Sequence, residues 1–96
     1  MILRVTYSPR SRRDLEKIRA WIARESGSLE TADRFIRQLL DSADTLETLP
    51  ERFPAYPYSR RWRMMPVGNY LIFYRVQAEA VWIGHIRHAA RKPFGG

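Results

Sequence analysis

One stretch in the second half of the chain constrains the fold most: residues 62–76 read WRMMPVGNYLIFYRV. Apolar side chains alternate on both sides of a Gly68-Asn69 pair, and glycine supplies the positive φ that a two-residue hairpin turn needs. Such a turn places Val67 opposite Tyr70, which fixes the register of two antiparallel strands. The sequence therefore predicts a β-hairpin in this stretch.

This register divides the side chains of the hairpin between two faces. One face has arginines at the end away from the turn, where Arg63 lies opposite Tyr74 and Arg61 opposite Val76. The other face is mostly apolar, and its pairs are Pro66 with Leu71, Met64 with Phe73 and Trp62 with Arg75. We expect the second face to cover the helices.

A third strand is predicted to pair with this hairpin. It runs from Val81 to about His88. Simple alternation places His85 and Arg87 on one face of the strand and Trp82 and Ile86 on the other.

The first half of the chain has helical spacing instead. A short β-prone segment, residues 2–7, ends at Ser8-Pro9, which is a helix start because serine caps free amides and proline lacks one to satisfy. Apolar residues then recur at spacings of three and four to about Glu25, and Gly27 ends the helix. We expect a first amphipathic helix over these residues.

A second helix follows after a short connection. Ser28 or Thr31 can cap it, its apolar face continues to Leu49, and Pro50 breaks it. The two helices are therefore antiparallel neighbours, and residues 50–59, with three prolines, form a rigid surface loop. The predicted class is α+β in one domain, residues 1–96: an N-terminal strand, an antiparallel helical hairpin, then a three-stranded antiparallel sheet.

The net charge of +7 is unevenly distributed along the chain. Residues 60–96 carry seven basic side chains and one acidic one, whereas residues 25–51 carry seven acidic side chains and two basic ones. A basic surface attracts phosphate backbones or an acidic protein partner, although it can also serve solubility alone.

Several classes of protein and site are disfavoured by composition. With no cysteine and two histidines, the chain cannot complete a structural zinc site, and no metal or cofactor is expected. No apolar run approaches a membrane span or a signal-peptide core, so we expect a cytoplasmic location without membrane contact.

The residues leave catalysis and binding both open. A metal-free ribonuclease needs a base, an acid and cations for the phosphate, and the chain has side chains of each kind. These candidates are His85, His88, Tyr70, Tyr74, Arg63, Arg91 and Lys92. Trp21 and Leu40 lie at the margins of the helical apolar stripes, where they either complete the core or form a patch for a partner.

The chain resembles the ParE branch of the RelE/ParE superfamily, the toxins of bacterial type II toxin-antitoxin modules. The matching stretches are YSPRSRRDLEKIRAWIARES, TADRFIRQLLDSADTLETLP, WRMMPVGNYLIFYRV and VWIGHIRHAARKPF. Together they cover about residues 3–94. The family fold is the strand, helical hairpin and antiparallel sheet derived above.

The resemblance implies a non-enzymatic toxin that poisons DNA gyrase and is neutralised by a cognate, ParD-like antitoxin encoded beside it. The alternative is RelE-like, ribosome-dependent mRNA cleavage, and either target would bring the toxin close to nucleic acid. The chain departs from the cleaving branch, because it has no lysine between Arg19 and Arg91 and has Phe94 near the position of a tail tyrosine. A third possibility is a remnant that only binds its antitoxin.

The resemblance and the charge pattern together suggest two sets of binding residues and no catalytic ones. The expected target-binding residues are Arg63, Tyr74, Arg75, His88 and Arg91. The expected antitoxin-binding residues are Trp21, Leu40, Arg61 and Arg87.

Overall fold

The computed structural model describes residues 2–94 and has the predicted α+β architecture. Strand β1 (Arg4–Tyr7) is followed by helices α1 (Pro9–Ser26) and α2 (Leu29–Asp44). Strands β2 (Arg63–Val67), β3 (Tyr70–Gln77) and β4 (Ala80–His88) complete the chain. Within the described residues, no helix combines the length and apolar character needed to cross a membrane.

The sheet has four strands in the order β1-β4-β3-β2. The predicted hairpin is confirmed: Val67 pairs with Tyr70 and Arg63 with Tyr74, and Gly68 has a φ of 57°. Strands β3 and β4 are also antiparallel, whereas β1 lies parallel to β4 at one edge. The N-terminal strand therefore makes the sheet mixed.

The predicted helix boundaries agree with the structure at three of the four ends. Ser8 and Ser28 cap α1 and α2, and Gly27, with a φ of 70°, ends α1. The fourth end differs, because α2 stops at Asp44 and a 3-10 turn, Thr45–Glu47, follows it. Leu49, the residue before Pro50, adopts a left-handed conformation with a φ of 49°.

The two helices cover the face of the sheet that sequence analysis assigned to solvent, so that assignment was wrong. The core side chains of the sheet all come from this face: Met65, Val67, Tyr70, Ile72, Tyr74, Val81, Ile83 and Ile86. Arg63 does not prevent this burial, because its guanidinium turns away to donate to the carbonyls of Glu51 and Phe53. The helices contribute mainly Ile18, Leu39 and Ala43.

A bulge in β4 changes which residues share a face. The register between β3 and β4 shifts beside Gly84, so that Phe73 lies opposite His85 but Tyr74 lies opposite Ile83. Trp82 therefore shares the outer face with His85, and Ile86 points into the core, which corrects the alternation expected from the sequence. Only glycine fits at position 84 in this packing, because a Cβ there would overlap the indole of Trp62.

Ser8 holds the end of β1, the start of α1 and the bulge together. Its N–H donates to the Ile83 carbonyl at 3.0 Å, and its Oγ donates to the Gly84 carbonyl at 2.6 Å. The same Oγ accepts the Ser11 N–H at 3.0 Å, which caps the helix. One side chain therefore satisfies groups from both the bulge and the helix.

We expect Ser8→Ala to destabilise the fold more than loss of an ordinary helix cap does. The variant loses the cap and leaves the Gly84 carbonyl without its donor, which together cost about 2 to 3 kcal/mol in the free energy of unfolding. Ser28→Ala is the matched control, because Ser28 caps α2 through Thr31 N–H alone and its loss should cost about 1 kcal/mol. Urea unfolding measures both variants, and equal losses would contradict a stabilising role for the bond to Gly84.

Candidate functional site

A groove between α1 and the last residues of β4 has the features of a binding site. It has a volume of about 640 Å³ and is open to solvent along its length. Its walls combine apolar, aromatic and basic side chains. They include Lys17, Trp21 and Arg24 from α1, and Tyr70, Arg87, His88 and Arg91 from the sheet and the turn after it. We call this surface the α1–β4 groove.

The groove exists because β4 is longer than its neighbour β1. The pairing of the two strands ends at Tyr7 with Ile83, whereas β4 continues to His88. After Tyr7 the chain turns into α1, so that a helix and not a strand lies beside this part of the β4 edge. Asp14 of α1 bridges part of the gap, since its Oδ2 accepts the Ile86 N–H at 2.9 Å.

Positive charge dominates the walls of the groove. Lys17, Arg24, Arg87 and Arg91 line it, and the one carboxylate among the lining residues is Asp14, which already accepts a hydrogen bond. Burial and the nearby guanidinium groups of Arg91 and Arg10 lower the pKa of Arg87. An excess of positive charge along a groove favours an anionic partner.

The floor of the groove offers apolar surface beside this charge. Trp21 is 47% exposed and lines the groove beside the basic side chains. Tyr70 lies deeper, with its ring 5.1 Å from that of His88 in an edge-to-face arrangement. Burial raises the pKa of Tyr70, so its hydroxyl is protonated at neutral pH. An amphipathic, acidic protein segment fits this combination.

His88 has a defined orientation at the end of β4. Its Nδ1 accepts the Ala90 N–H at 3.0 Å within the turn that follows the strand. The neutral ring therefore carries its proton on Nε2 and presents a hydrogen-bond donor on its other side. In this form the ring can bind an acceptor but cannot take a proton at Nε2.

The outer face of the sheet, which the helices leave uncovered, is filled by aromatic rings. The ring of Phe94 lies 4.5 Å from that of His85 and 5.0 Å from that of Phe73, measured between centroids. Tyr56 from the proline-rich loop stacks on Phe94, and the Arg87 guanidinium lies 4.8 Å from the Phe94 centroid. His85 is 4% exposed beneath this cluster.

Burial lowers the pKa of His85 to about 4, with smaller contributions from the positive charges of Arg10 and Arg87. His85 is therefore neutral at physiological pH. Its Nδ1 has no hydrogen-bond partner among residues 2–94, as a buried ring nitrogen in an aromatic cluster can lack one. Since solvent and ligand do not reach it, His85 acts as a packing residue in this arrangement.

The structure brings four of the nine expected binding residues together in the α1–β4 groove. Trp21 and Arg87, expected for the antitoxin, line it with His88 and Arg91, expected for the target. Leu40, half-buried on α2, lies outside the groove. The two expected sets therefore overlap on one surface.

Arg61 and Arg75 lie elsewhere, on either side of Trp62. Their guanidinium carbons are 5.6 and 5.4 Å from the Trp62 ring centroid. Trp62 itself packs on Gly84 of the outer face. These two arginines therefore belong to the outer face and not to the groove.

Arg63 and Tyr74 stabilise the turn at residues 50–53. Tyr74 is fully buried, and its hydroxyl donates to the Pro50 carbonyl, while Arg63 donates to the carbonyl of Phe53 at 2.7 Å. A direct contact between Tyr74 and a partner is incompatible with this burial. Both residues can influence binding only through the turn that they hold, apart from the exposed part of Arg63.

Apart from Trp21, sequence analysis missed the contribution of α1 to the groove. Asp14, Lys17, Trp21 and Arg24 follow one another at spacings of three and four, which places them on one face of the helix. That spacing was available in the sequence, but only the length of β4 beyond β1 shows what the face meets. Among residues 2–94, no three His, Asp or Glu side chains lie close enough together to hold a metal ion.

Comparisons with known proteins identify the family. Residues 5–93 match the model of the ParE toxin of the type II toxin-antitoxin system parDE. The chain is also 33% identical over 90 residues to Toxin RelE3 of Caulobacter vibrioides, covering 92% of this chain and 96% of that protein. The chain belongs to the ParE toxin family and is a toxin of a ParDE/RelE-type toxin-antitoxin system.

A solved structure agrees with the fold. The chromosomal ParDE toxin-antitoxin system from P. aeruginosa contains a chain that superimposes with a TM-score of 0.81, covering 91% of this chain and 96% of that one. The sequence identity is 14%, so this likeness supports the architecture alone. The expectation of a RelE/ParE-like fold is confirmed.

The buried His85 predicts that the protein loses stability in mild acid. Its pKa is about 4 in the folded state and about 6.5 when unfolded, so the unfolded chain binds more protons between these values. The free energy of unfolding should be maximal above pH 6.5 and fall as the pH drops towards 4, by up to about 3 kcal/mol from this residue.

Urea unfolding at pH 7 and pH 4.5 measures this loss in the wild type and in His85→Phe. Phenylalanine keeps a ring in the cluster and removes the titration, so the variant should lose much less stability than the wild type over this interval. An equal loss in both proteins would contradict the assignment to His85.

Proposed function

We propose that this toxin inhibits DNA gyrase and that the α1–β4 groove is the surface with which it binds. The observation that carries the proposal is the presence in one open groove of an exposed tryptophan with the basic side chains Lys17, Arg24 and Arg91, while Arg87 lines its border with its guanidinium over Phe94. Exposed tryptophan and arginine side chains are the residue types that most often dominate the energy of protein interfaces. A surface that binds a protein accounts for these exposed tryptophan and basic side chains, and no catalytic role is needed to explain them.

The state of the candidate acid-base residues supports binding over catalysis. His85 is buried and neutral, Tyr74 is fully buried, and the Nδ1 of His88 is occupied by the Ala90 N–H. A ribonuclease needs a base that can reach the 2′-hydroxyl, and none of these three side chains is placed to serve as one in this conformation. The groove can therefore bind a phosphate or carboxylate more readily than it can move a proton.

We further propose that the cognate antitoxin neutralises the toxin by occupying the same groove. The supporting observation is that residues expected for the antitoxin and for the target lie on one surface. Arg87 of the first set is close enough to Arg91 of the second set for the charge of Arg91 to act on it. A bound antitoxin would exclude the target directly. For Leu40, Arg61 and Arg75, which lie outside the groove, a role in binding stays a prediction.

One observation favours a second candidate function, ribosome-dependent mRNA cleavage. The relative in Caulobacter vibrioides carries the name RelE3, and a basic groove with a histidine can also bind RNA. In that case the groove arginines would contact phosphates, and His88 would have to release its bond to Ala90 or act as an acid through Nε2. The experiment below separates the two functions.

The test is supercoiling of relaxed plasmid by purified gyrase in the presence of the toxin, with linear DNA released by denaturant quantified in the same samples. We expect inhibition together with accumulation of linear DNA. Arg91→Ala should raise the toxin concentration required by about tenfold, the loss of about 1.4 kcal/mol expected for an arginine that acts as an interface hot spot. Arg37→Ala, an exposed arginine of α2 outside the groove, is the matched control and should leave the requirement unchanged.

Absence of any effect on gyrase, together with cleavage of ribosome-bound mRNA detected by primer extension, would replace gyrase with the second function. Equal effects of the Arg91 and Arg37 variants would contradict the assignment of the groove.

Tyr74→Phe tests whether Tyr74 only stabilises the turn at residues 50–53 or also contacts the target. The variant loses the hydrogen bond to the Pro50 carbonyl and should lose about 1 kcal/mol in the free energy of unfolding. Because Tyr74 is buried, the folded variant should inhibit its target at the same concentration as the wild type. A large loss of inhibition in folded protein would show that Tyr74, or the turn it holds, is needed for binding.

A further inference from the structure

The edge of β4 beside the groove exposes backbone amides in a regular order. The Ala89 N–H donates to the carbonyl of Asn69, the residue before β3. Because amides alternate in direction along a strand, those of residues 85, 87 and 89 all point towards β3. Residues 86 and 88 direct theirs the other way, towards α1. The bond from Ile86 N–H to Asp14 confirms this alternation.

His88 N–H is the next amide on this edge. It lies two residues beyond Ile86, which is roughly 7 Å along a strand, and α1 offers it no second carboxylate. Among the hydrogen bonds of residues 2–94, none gives His88 N–H an acceptor. Arg91, which follows after one turn of chain, lines the same end of the groove.

We propose that His88 N–H and the Arg91 guanidinium form a carboxylate-binding site. The occupant is an Asp or Glu side chain from an acidic segment of the antitoxin, and an apolar neighbour of that residue packs against Trp21. The proposal rests on the proposed function in one respect, that the α1–β4 groove is the surface bound by the antitoxin.

A carboxylate is favoured because the protein already binds one at the equivalent position. Asp14 Oδ2 accepts the Ile86 N–H at 2.9 Å on the same edge. A partner carboxylate at His88 would repeat that contact and could in addition accept two parallel hydrogen bonds from Arg91. It would also offset the repulsion from Arg91, which adds to burial in lowering the pKa of Arg87.

The test uses the full-length, ¹⁵N-labelled toxin and a small probe, the capped dipeptide acetyl-Leu-Glu-amide. We expect a saturable downfield shift of the His88 amide resonance and little movement of the Ile86 amide, which is already bonded. Acetyl-Leu-Gln-amide, of the same shape without the charge, should bind about tenfold more weakly, as expected from the loss of a charged hydrogen bond.

Two variants test the roles of the residues. Arg91→Gln should weaken binding of the Glu probe by about tenfold. Asp14→Ala should make the Ile86 amide respond to the probe as the His88 amide does, since the internal carboxylate is gone. His88→Ala keeps the backbone amide and should retain most of the binding.

An unresponsive His88 amide, or equal binding of the Glu and Gln probes, would overturn the proposal. Inorganic phosphate at the same ionic strength distinguishes sources of negative charge, because an equal or tighter response to phosphate would replace the carboxylate site with a general anion site. The titration contains no gyrase, so its outcome does not depend on whether gyrase is the target. Failure of the proposed function and failure of this carboxylate site can therefore be distinguished.

Discussion

The hydrogen bonds of Ser8 connect the parts of the structure on which the groove depends. Its backbone amide ends the pairing of β1 with β4, and its hydroxyl both binds the bulged Gly84 and caps α1. The bulge reverses which amides of β4 point away from β3, so that Ile86 meets Asp14 and His88 opens into the groove. The position of α1 and the character of the β4 edge are therefore set at one point.

Both faces of the sheet bury their apolar side chains, but they do so against different parts of the chain. The inner face buries apolar side chains under the helices, while the outer face covers itself with rings from the proline-rich loop and the tail. Aromatic packing leaves His85 neutral and inaccessible. The outer face also carries Arg61 and Arg75 beside Trp62, whereas Lys17, Arg24 and Arg91 line the groove between α1 and the end of β4.

Much of the fold could be predicted because it depends on local signals. The hairpin register follows from Gly68-Asn69, and the helix ends follow from Ser8, Ser28 and Gly27, all of which act on residues within a few positions of themselves. The choice of the inner face could not be predicted, because both faces of the hairpin carry large apolar residues. It depends on Arg63 reaching the carbonyls of a loop that no local rule positions.

The candidate site was only partly accessible to sequence reasoning. Trp21, Arg87, His88 and Arg91 were predicted as binding residues from charge, position on the helical apolar stripe and family resemblance, but their meeting in one groove depends on how far β4 extends beyond β1. Gly84 within a strand was a signal for a bulge. Which β4 side chains the bulge moves to the other face could be known only from the pairing of β4 with β3.

The central claim is that the α1–β4 groove contacts the target, and site-specific photocrosslinking tests it most directly. Benzoylphenylalanine replaces Trp21 in the groove or Tyr58, which is 62% exposed in the proline-rich loop and serves as the control. We expect position 21 to crosslink to gyrase and to stop doing so when the antitoxin is added. Crosslinking from position 58 alone, or crosslinking from position 21 that persists with antitoxin bound, would contradict the groove as the shared surface.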